Sequence, residues 1–67
     1  MKNRPPDAIA SVDSARLLAT LLQQEGPMRV SDAADRLGVS AATAPRLLGM
    51  LDYRDFAEQL PDRRYGP

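Results

Sequence analysis

The chain has 67 residues, 43% hydrophobic and 27% charged, and its nine basic residues balance nine acidic ones. This length allows one small domain with a single core, and the composition is that of an ordinary globular protein. Cysteine and histidine are both absent, which excludes disulfides, thiolate zinc sites and most acid–base catalysis. We therefore expect no enzyme activity, no cofactor and no metal.

The charges are balanced locally as well, so neither half of the chain is a basic tail. A net charge of zero argues against a strongly basic surface for nucleic acid. Any cationic face has to come from arginines that the fold brings together. Since no apolar run is long enough to cross a bilayer and no signal-peptide pattern opens the chain, we expect a cytoplasmic protein.

The first elements are an arm and a helix. Residues 1–10 are predicted to form a flexible N-terminal arm because they contain two consecutive prolines, and residues 11–67 the folded domain. The first helix is predicted to begin with Ser11 as its cap and to end near Glu25, before a Gly-Pro pair. Its apolar stripe comprises Val12, Ala15, Leu18, Ala19 and Leu22, widened by Leu17 and Leu21. A stripe this wide contacts more than one neighbour or a second chain, so Leu17 and Leu21 are either core residues or a dimer seam.

Two short amphipathic helices follow. Ser31 is predicted to cap the first and Gly38 to end it, and Ser40 is predicted to cap the second. Each has apolar residues at i, i+3, i+4 and i+7: Val30, Ala33, Ala34 and Leu37, then Ala44, Leu47, Leu48 and Leu51. Joined by a three- to four-residue turn that contains glycine, such a pair is a helix-turn-helix.

Pro45 leaves two alternatives for the start of the last helix. If Ser40 is the cap, Pro45 is the fifth helical residue, where the ring crowds the carbonyl of Ala41 and costs up to ~3 kcal/mol. If Thr43 is the cap instead, Pro45 falls in the first turn, where proline is tolerated.

The pattern changes after Tyr53. Alternating side chains over residues 56–60 indicate a strand, residues 61–63 a turn, and Arg64-Tyr65 the start of a return strand. Residues 28–30 would add a third strand. A hairpin that follows a helix-turn-helix is a wing, so the sequence predicts a mainly α (α+β) fold, a three-helix winged helix-turn-helix with a small β-hairpin wing.

Arg46 is the strongest candidate for a functional contact. With the apolar side chains of the third helix facing inward, the opposite face runs through Ala42, Arg46, Gly49 and Tyr53, and Arg46 is the charged residue at its centre. One interpretation, favoured by the family resemblance described below, is that Arg46 contacts a base or a phosphate in the major groove of DNA. The alternative is an exposed arginine paired with a neighbouring carboxylate.

Five residues around the start of the third helix are further candidates for DNA contact. Ser40 and Thr43 could cap exposed amides or donate to phosphate, with capping the main role of Ser40. Ala41, Ala42 and Pro45 offer no hydrogen bonds, but their methyl groups or ring could contact a thymine methyl group.

The predicted turn of the wing carries Arg63 and Arg64. They could bind phosphates or enter the minor groove, or they could form a solvated turn in which Asp62 cancels one charge. Tyr53 and Tyr65 are expected to be packing residues, and Tyr53 could alternatively hydrogen-bond a phosphate.

Short motifs occur in a fixed order along the chain. They are Ser11-Val12-Asp13, Gly26-Pro27, Leu37-Gly38-Val39-Ser40, the stretch from Thr43 to Leu51 (TAPRLLGML), Tyr53-Arg54-Asp55-Phe56-Ala57 and Arg63-Arg64-Tyr65. This ordered set, over roughly residues 9–67, resembles the N-terminal DNA-binding domain of the IclR-type bacterial transcriptional regulators. Two positions depart from the family pattern: Pro45 replaces a bulky polar or aromatic residue, and Asp55 replaces a glycine. Aspartate accepts the left-handed conformation better than most residues, so the turn at Asp55 should survive.

The resemblance implies a module that binds double-stranded DNA as a homodimer, on a palindromic operator. Its recognition helix, about residues 40–53, would lie in the major groove, and its wing, about residues 57–66, on the backbone or in the minor groove. It also implies dimerisation partly through the first helix, where Leu17 and Leu21 lie, and an effector-binding domain downstream of this chain.

A rival interpretation comes from another class of protein. Winged-helix domains of similar sequence also serve as dimerisation modules on enzymes, for instance ahead of small-molecule methyltransferase domains, without binding DNA. Zero net charge and the alanine-rich recognition face favour this rival. The Ser-Val-Asp start and the paired arginines of the wing favour DNA.

Overall fold

The computed structural model describes residues 9–67 and contains three helices followed by a β-hairpin. The elements are α1 (Ala10–Glu25), α2 (Val30–Leu37), α3 (Thr43–Tyr53), β1 (Glu58–Gln59) and β2 (Tyr65–Gly66). This architecture confirms the predicted winged helix-turn-helix. Most of the predicted arm, residues 1–8, lies outside the described residues. Within residues 9–67, the helices lack the length and apolarity that crossing a membrane requires.

The first two helices begin earlier than their serines predicted. α1 starts one residue before Ser11 and α2 one residue before Ser31, so neither serine is the cap, and both predictions are wrong. The cap positions are Ile9 and Arg29, whose backbone is extended. Their carbonyls accept amides of the first turn at 3.0–3.1 Å, so the backbone alone starts each helix.

The start of α3 decides between the two placements of Pro45. α3 begins at Thr43, so Pro45 is the third helical residue and lies in the first turn, where an amide has no intrahelical partner to lose. Thr43 is the first residue of α3 and therefore not its cap. The amide of Thr43 donates to Ser40 Oγ at 3.1 Å. The carbonyl of Ser40 also accepts the amides of Thr43 and Ala44. Ser40 therefore satisfies this helix start from outside the helix, and the turn spans residues 38–42, longer than predicted.

Two residues in the left-handed conformation end the helices of the helix-turn-helix. Gly38 has φ 67° and closes α2, as its position predicted. Asp55 has φ 65°, which confirms that aspartate replaces the expected glycine without losing the turn. Beyond it, the amide of Phe56 donates to the carbonyl of Leu51 at 2.7 Å, which directs the chain from α3 into the wing.

The core lies where the three helices and the hairpin meet. Its buried residues are Leu18, Leu21, Leu22, Met28, Ala33, Leu47, Leu48, Leu51 and Ala57. Leu18, Leu22 and Leu48 are fully buried, and burying each such side chain stabilises the fold by about 1.5–3 kcal/mol. The small side chains of Ala33 and Ala34 let α2 and α3 pack closely.

The wing is joined to the connection between α1 and α2. Glu58 pairs with Gly66 and Gln59 with Tyr65 in the antiparallel hairpin. Met28 exchanges two backbone hydrogen bonds of 2.8 Å with Tyr65. The predicted third strand is therefore a single bridge at Met28, and residue 30 belongs to α2.

An ion pair links the end of α1 to α2. Nη1 and Nη2 of Arg36 each donate to one oxygen of the Glu25 carboxylate, a bidentate arrangement. These hydrogen bonds lower the pKa of Glu25 below its usual value and raise that of Arg36. Both side chains are exposed, so the pair orients the two helices at the surface and leaves the core apolar.

We predict that replacing Pro45 by alanine lowers the melting temperature slightly. Because the proline occupies a compatible first-turn position, its removal increases the entropy of the unfolded chain, by an amount worth about 0.4–1 kcal/mol. Thermal unfolding followed by circular dichroism measures the change, and Ala41→Pro, which alters a turn residue outside the helix, serves as a comparison. A rise in the melting temperature of Pro45→Ala would mean that the proline is strained.

Candidate nucleic-acid interface

The exposed face of α3 is organised as its spacing predicted. Ala44, Leu47, Leu48 and Leu51 are buried, whereas Ala42, Arg46, Gly49 and Tyr53 are exposed. Arg46 makes no hydrogen bond or ion pair within residues 9–67, so the expected alternative, a salt bridge with a neighbouring carboxylate, is not observed there. Since Ala42 and Gly49 are small, a flat molecular edge can approach the guanidinium of Arg46 closely.

Two hydroxyl groups are in contact at the start of α3. Ser40 Oγ and Thr43 Oγ1 lie 2.8 Å apart, and one of them donates to the other. Only one hydroxyl proton is used in that bond, so the second proton remains available to an outside acceptor. Ala41, Ala42 and Pro45 surround this pair in sequence and are exposed. The start of α3 thus presents one donor and three small apolar groups.

The two arginines in the turn of the wing differ in their hydrogen-bond partners. Arg64 Nε donates to Asp62 Oδ2 at 2.7 Å, and the backbone amide of Arg64 donates to Asp62 Oδ1 at 3.1 Å. These two hydrogen bonds, the backbone one first, hold the pKa of Asp62 below its usual value. Arg63 takes the left-handed conformation, with φ 70°, and its guanidinium has no partner within residues 9–67. The predicted alternative, in which Asp62 cancels one wing charge, is therefore confirmed for Arg64.

The two tyrosines differ from each other. Tyr65 is half-buried and packs against the core, as predicted. Tyr53 is 71% exposed, so its predicted packing role is wrong. The reason is its position on the same outer face of α3 as Arg46. The guanidinium carbon of Arg54 lies 4.9 Å from the centroid of the Tyr53 ring, which adds a cation that sequence reasoning missed.

The two leucines proposed for a dimer seam lie at different depths. Leu21 is 9% exposed and belongs to the core, so it has little surface to offer a partner. Leu17 is 48% exposed and is the member of the pair that a second chain can reach.

An apolar groove runs between α1 and α3 and was not predicted from the sequence. Its volume is about 360 Å³, and it is lined mainly by Val12, Ala15 and Ala19 of α1, Leu47, Met50 and Leu51 of α3, and Phe56. Val12, Met50 and Phe56 are each more than half exposed. We call this surface the α1–α3 groove. Val12 and Leu17 are roughly 140° apart around α1, so the groove and Leu17 face different directions.

The predicted site residues thus form separate groups. Ser40 and Thr43 are in direct contact. Arg46 is exposed one turn further along α3, and Arg63 and Arg64 lie in the turn of the hairpin that follows.

Comparison with models of known protein families identifies the family of this chain. The family model of the IclR helix-turn-helix domain matches residues 14–61, which include most of α1, all of α2 and α3, and β1. The chain belongs to the IclR helix-turn-helix family. Domains of this family bind DNA in the regulation of transcription. Comparisons with curated proteins and with solved structures give no significant match.

Proposed function

We propose that this IclR-type domain binds duplex DNA sequence-specifically, with α3 in the major groove. The observation that supports this most strongly is the state of Arg46. It is the only basic residue within α3, it is exposed, and its guanidinium has no partner in residues 9–67. Arginine forms two parallel hydrogen bonds with O6 and N7 of guanine, the commonest specific contact in the major groove. Arg46 is therefore the residue that reads a base.

The start of α3 would meet the DNA backbone. The unused hydroxyl proton of the Ser40–Thr43 pair is a donor for a phosphate oxygen, and the positive end of the helix dipole favours the same group. Ala41, Ala42 and Pro45 would contact thymine methyl groups, since they are exposed and apolar. These contacts position α3 and add a preference for thymine.

The turn of the wing would contact the backbone or the minor groove, through Arg63, whose guanidinium has no partner in residues 9–67, and beside it Arg64, which is paired with Asp62. Both lie in an exposed turn, and an arginine inserted in a narrow minor groove meets an enhanced negative potential. Phosphate contacts of this kind hold the protein on DNA without reading its sequence.

We also propose that the domain acts as a homodimer on a palindromic operator, in a bacterial cytoplasm, and that an effector-binding domain controls it. The exposed flank of α1 around Leu17 supports the dimer, because a solvent-facing leucine next to the core stripe gains stability when a second chain covers it. A two-fold dimer would place two copies of α3 on successive turns of the duplex.

A second candidate function is a protein-contact module that does not bind DNA. The α1–α3 groove favours it, since the exposed side chains of Val12, Met50 and Phe56 form an apolar surface of the kind that proteins bury against partners. Zero net charge is consistent with this candidate as well. Duplex binding that weakens with added salt separates the two candidates, because a pure protein-contact module shows none.

We predict that Arg46→Ala and Arg63→Ala weaken DNA binding in different ways. Loss of a bidentate arginine–guanine contact should cost about 1–3 kcal/mol on the specific duplex and little on a scrambled one. Loss of the Arg63 phosphate contact should weaken both duplexes and reduce the salt slope by about one. The specific duplex is first selected from a random library with the unchanged chain, and fluorescence anisotropy then measures both duplexes at several salt concentrations.

Arg29→Ala is the matched control, because Arg29 precedes α2, is exposed, and has a guanidinium without a partner in residues 9–67. If Arg46→Ala weakens both duplexes equally, Arg46 binds phosphate and the base contact lies elsewhere. If the unchanged chain binds no duplex at low salt, the DNA-binding proposal is wrong.

We predict that Leu17→Lys folds normally but no longer self-associates, as measured by circular dichroism and analytical ultracentrifugation. Leu21→Lys should instead lose helical signal, because a charge in the core costs on the order of the domain's total stability. Val12→Lys is the control on the other flank of α1. A dimer that survives Leu17→Lys and dissociates with Val12→Lys would assign association to the α1–α3 groove.

A further inference from the structure

In the turn of the wing, the carboxylate of Asp62 binds Arg64. Its Oδ2 accepts from Arg64 Nε at 2.7 Å, and its Oδ1 accepts from the backbone amide of Arg64 at 3.1 Å. A guanidinium forms charge-assisted hydrogen bonds of this kind with carboxylate and phosphate alike. For Arg64, Asp62 is thus an acceptor of the same class as the DNA backbone.

The pair is accessible from solvent. The side chains of Arg64 and Asp62 are 44% and 53% exposed, so an incoming phosphate can reach the guanidinium without disturbing the core. A carboxylate at the tip of the wing also repels phosphates through its own charge. Arg63 lies between Asp62 and Arg64 in the sequence, and its guanidinium has no partner in residues 9–67, so it is available to a phosphate.

We propose that Asp62 is a negative determinant of DNA affinity. Its ion pair with Arg64 competes with a DNA phosphate for that guanidinium, so Arg63 makes the phosphate contact of the wing. This inference rests on the proposed DNA-binding function and adds a residue that limits it. Because phosphate contacts add affinity for every sequence, restraining one of them lowers nonspecific binding more than it lowers base reading. Asp62 thereby increases the share of the binding free energy that depends on α3.

The two hydrogen bonds of Asp62 have separable roles. The bond from the backbone amide of Arg64 shapes the turn, as aspartate and asparagine side chains commonly do. The bond from the guanidinium depends on the carboxylate charge. Asparagine keeps an oxygen acceptor for the backbone amide and removes the charge, so Asp62→Asn releases Arg64 while preserving the hairpin.

The test measures binding of the whole 67-residue chain to a random-sequence duplex by fluorescence anisotropy, at several salt concentrations. Asp62→Asn should bind about five- to tenfold tighter near 0.1 M salt, and the slope of log K against log[salt] should steepen by about 0.9, the value for one additional phosphate contact. Adding Arg64→Ala to Asp62→Asn should remove this gain. A melting curve for each variant verifies the fold.

Glu58→Gln is the matched control. Glu58 lies on β1 of the same hairpin, and its exposed carboxylate has no partner in residues 9–67, so its replacement changes the net charge equally but releases no arginine. The inference predicts a clearly smaller gain for Glu58→Gln than for Asp62→Asn.

Three results would overturn the inference. An Asp62→Asn variant that binds no tighter than the unchanged chain shows that Arg64 is not withheld, and the proposed function stands. Equal gains from Asp62→Asn and Glu58→Gln show that net charge alone acts, and the proposed function again stands. Absence of duplex binding by the unchanged chain and by Asp62→Asn alike contradicts the proposed function together with the inference.

Discussion

The burial of the leucine face of α3 fixes the orientation on which the proposed DNA contacts depend. Leu47, Leu48 and Leu51 pack in one cluster with Leu18 and Leu22 of α1. Successive helical residues are rotated by about 100°, so once these leucines point inward, the side chain at position 46 must point outward. A domain of this size has only about 3–5 kcal/mol of net stability, a large share of which such leucines supply. Stability and the direction of Arg46 therefore have the same physical origin.

The distribution of partners explains how a chain with no net charge can present cations to DNA. Glu25 binds Arg36 at the junction of α1 and α2, and Asp62 binds Arg64 in the wing. Arg46 has no carboxylate partner within residues 9–67, and its face of α3 consists of small residues and Tyr53. Electrostatic attraction to DNA depends on local charges near the contact, because salt screens the distant ones over about 10 Å.

Spacing in the sequence predicted the helices and their buried faces, because the helical period determines which side chains share a side. Gly38 was predictable from its residue type, since glycine accepts the left-handed conformation readily, whereas the turn at Asp55 was expected from the family resemblance. The starts of α1 and α2 were not predictable. Serine is a good cap in isolation, but here the carbonyls of Ile9 and Arg29 start each helix from the backbone alone.

Other parts of the candidate site depend on how elements meet, which spacing does not report. The α1–α3 groove exists only because Val12 and Met50 come from different helices that pack side by side. Tyr53, by contrast, is exposed because it lies on the same outer face of α3 as Arg46. The Asp62–Arg64 pair was predicted as an alternative from adjacency in the sequence, whereas only the fold shows that the guanidinium of Arg63 has no partner in residues 9–67.

The orientation of α3 toward DNA is tested most directly by mapping the contact on the protein itself. The ¹⁵N-labelled chain is titrated with its selected duplex and followed by NMR. The backbone amide signals around Arg46 and Arg63 should change in chemical shift, and those of Val12 and Ala19 in the α1–α3 groove should not. Shifts confined to the groove, or no shifts at all, would contradict a DNA-binding role for the exposed face of α3.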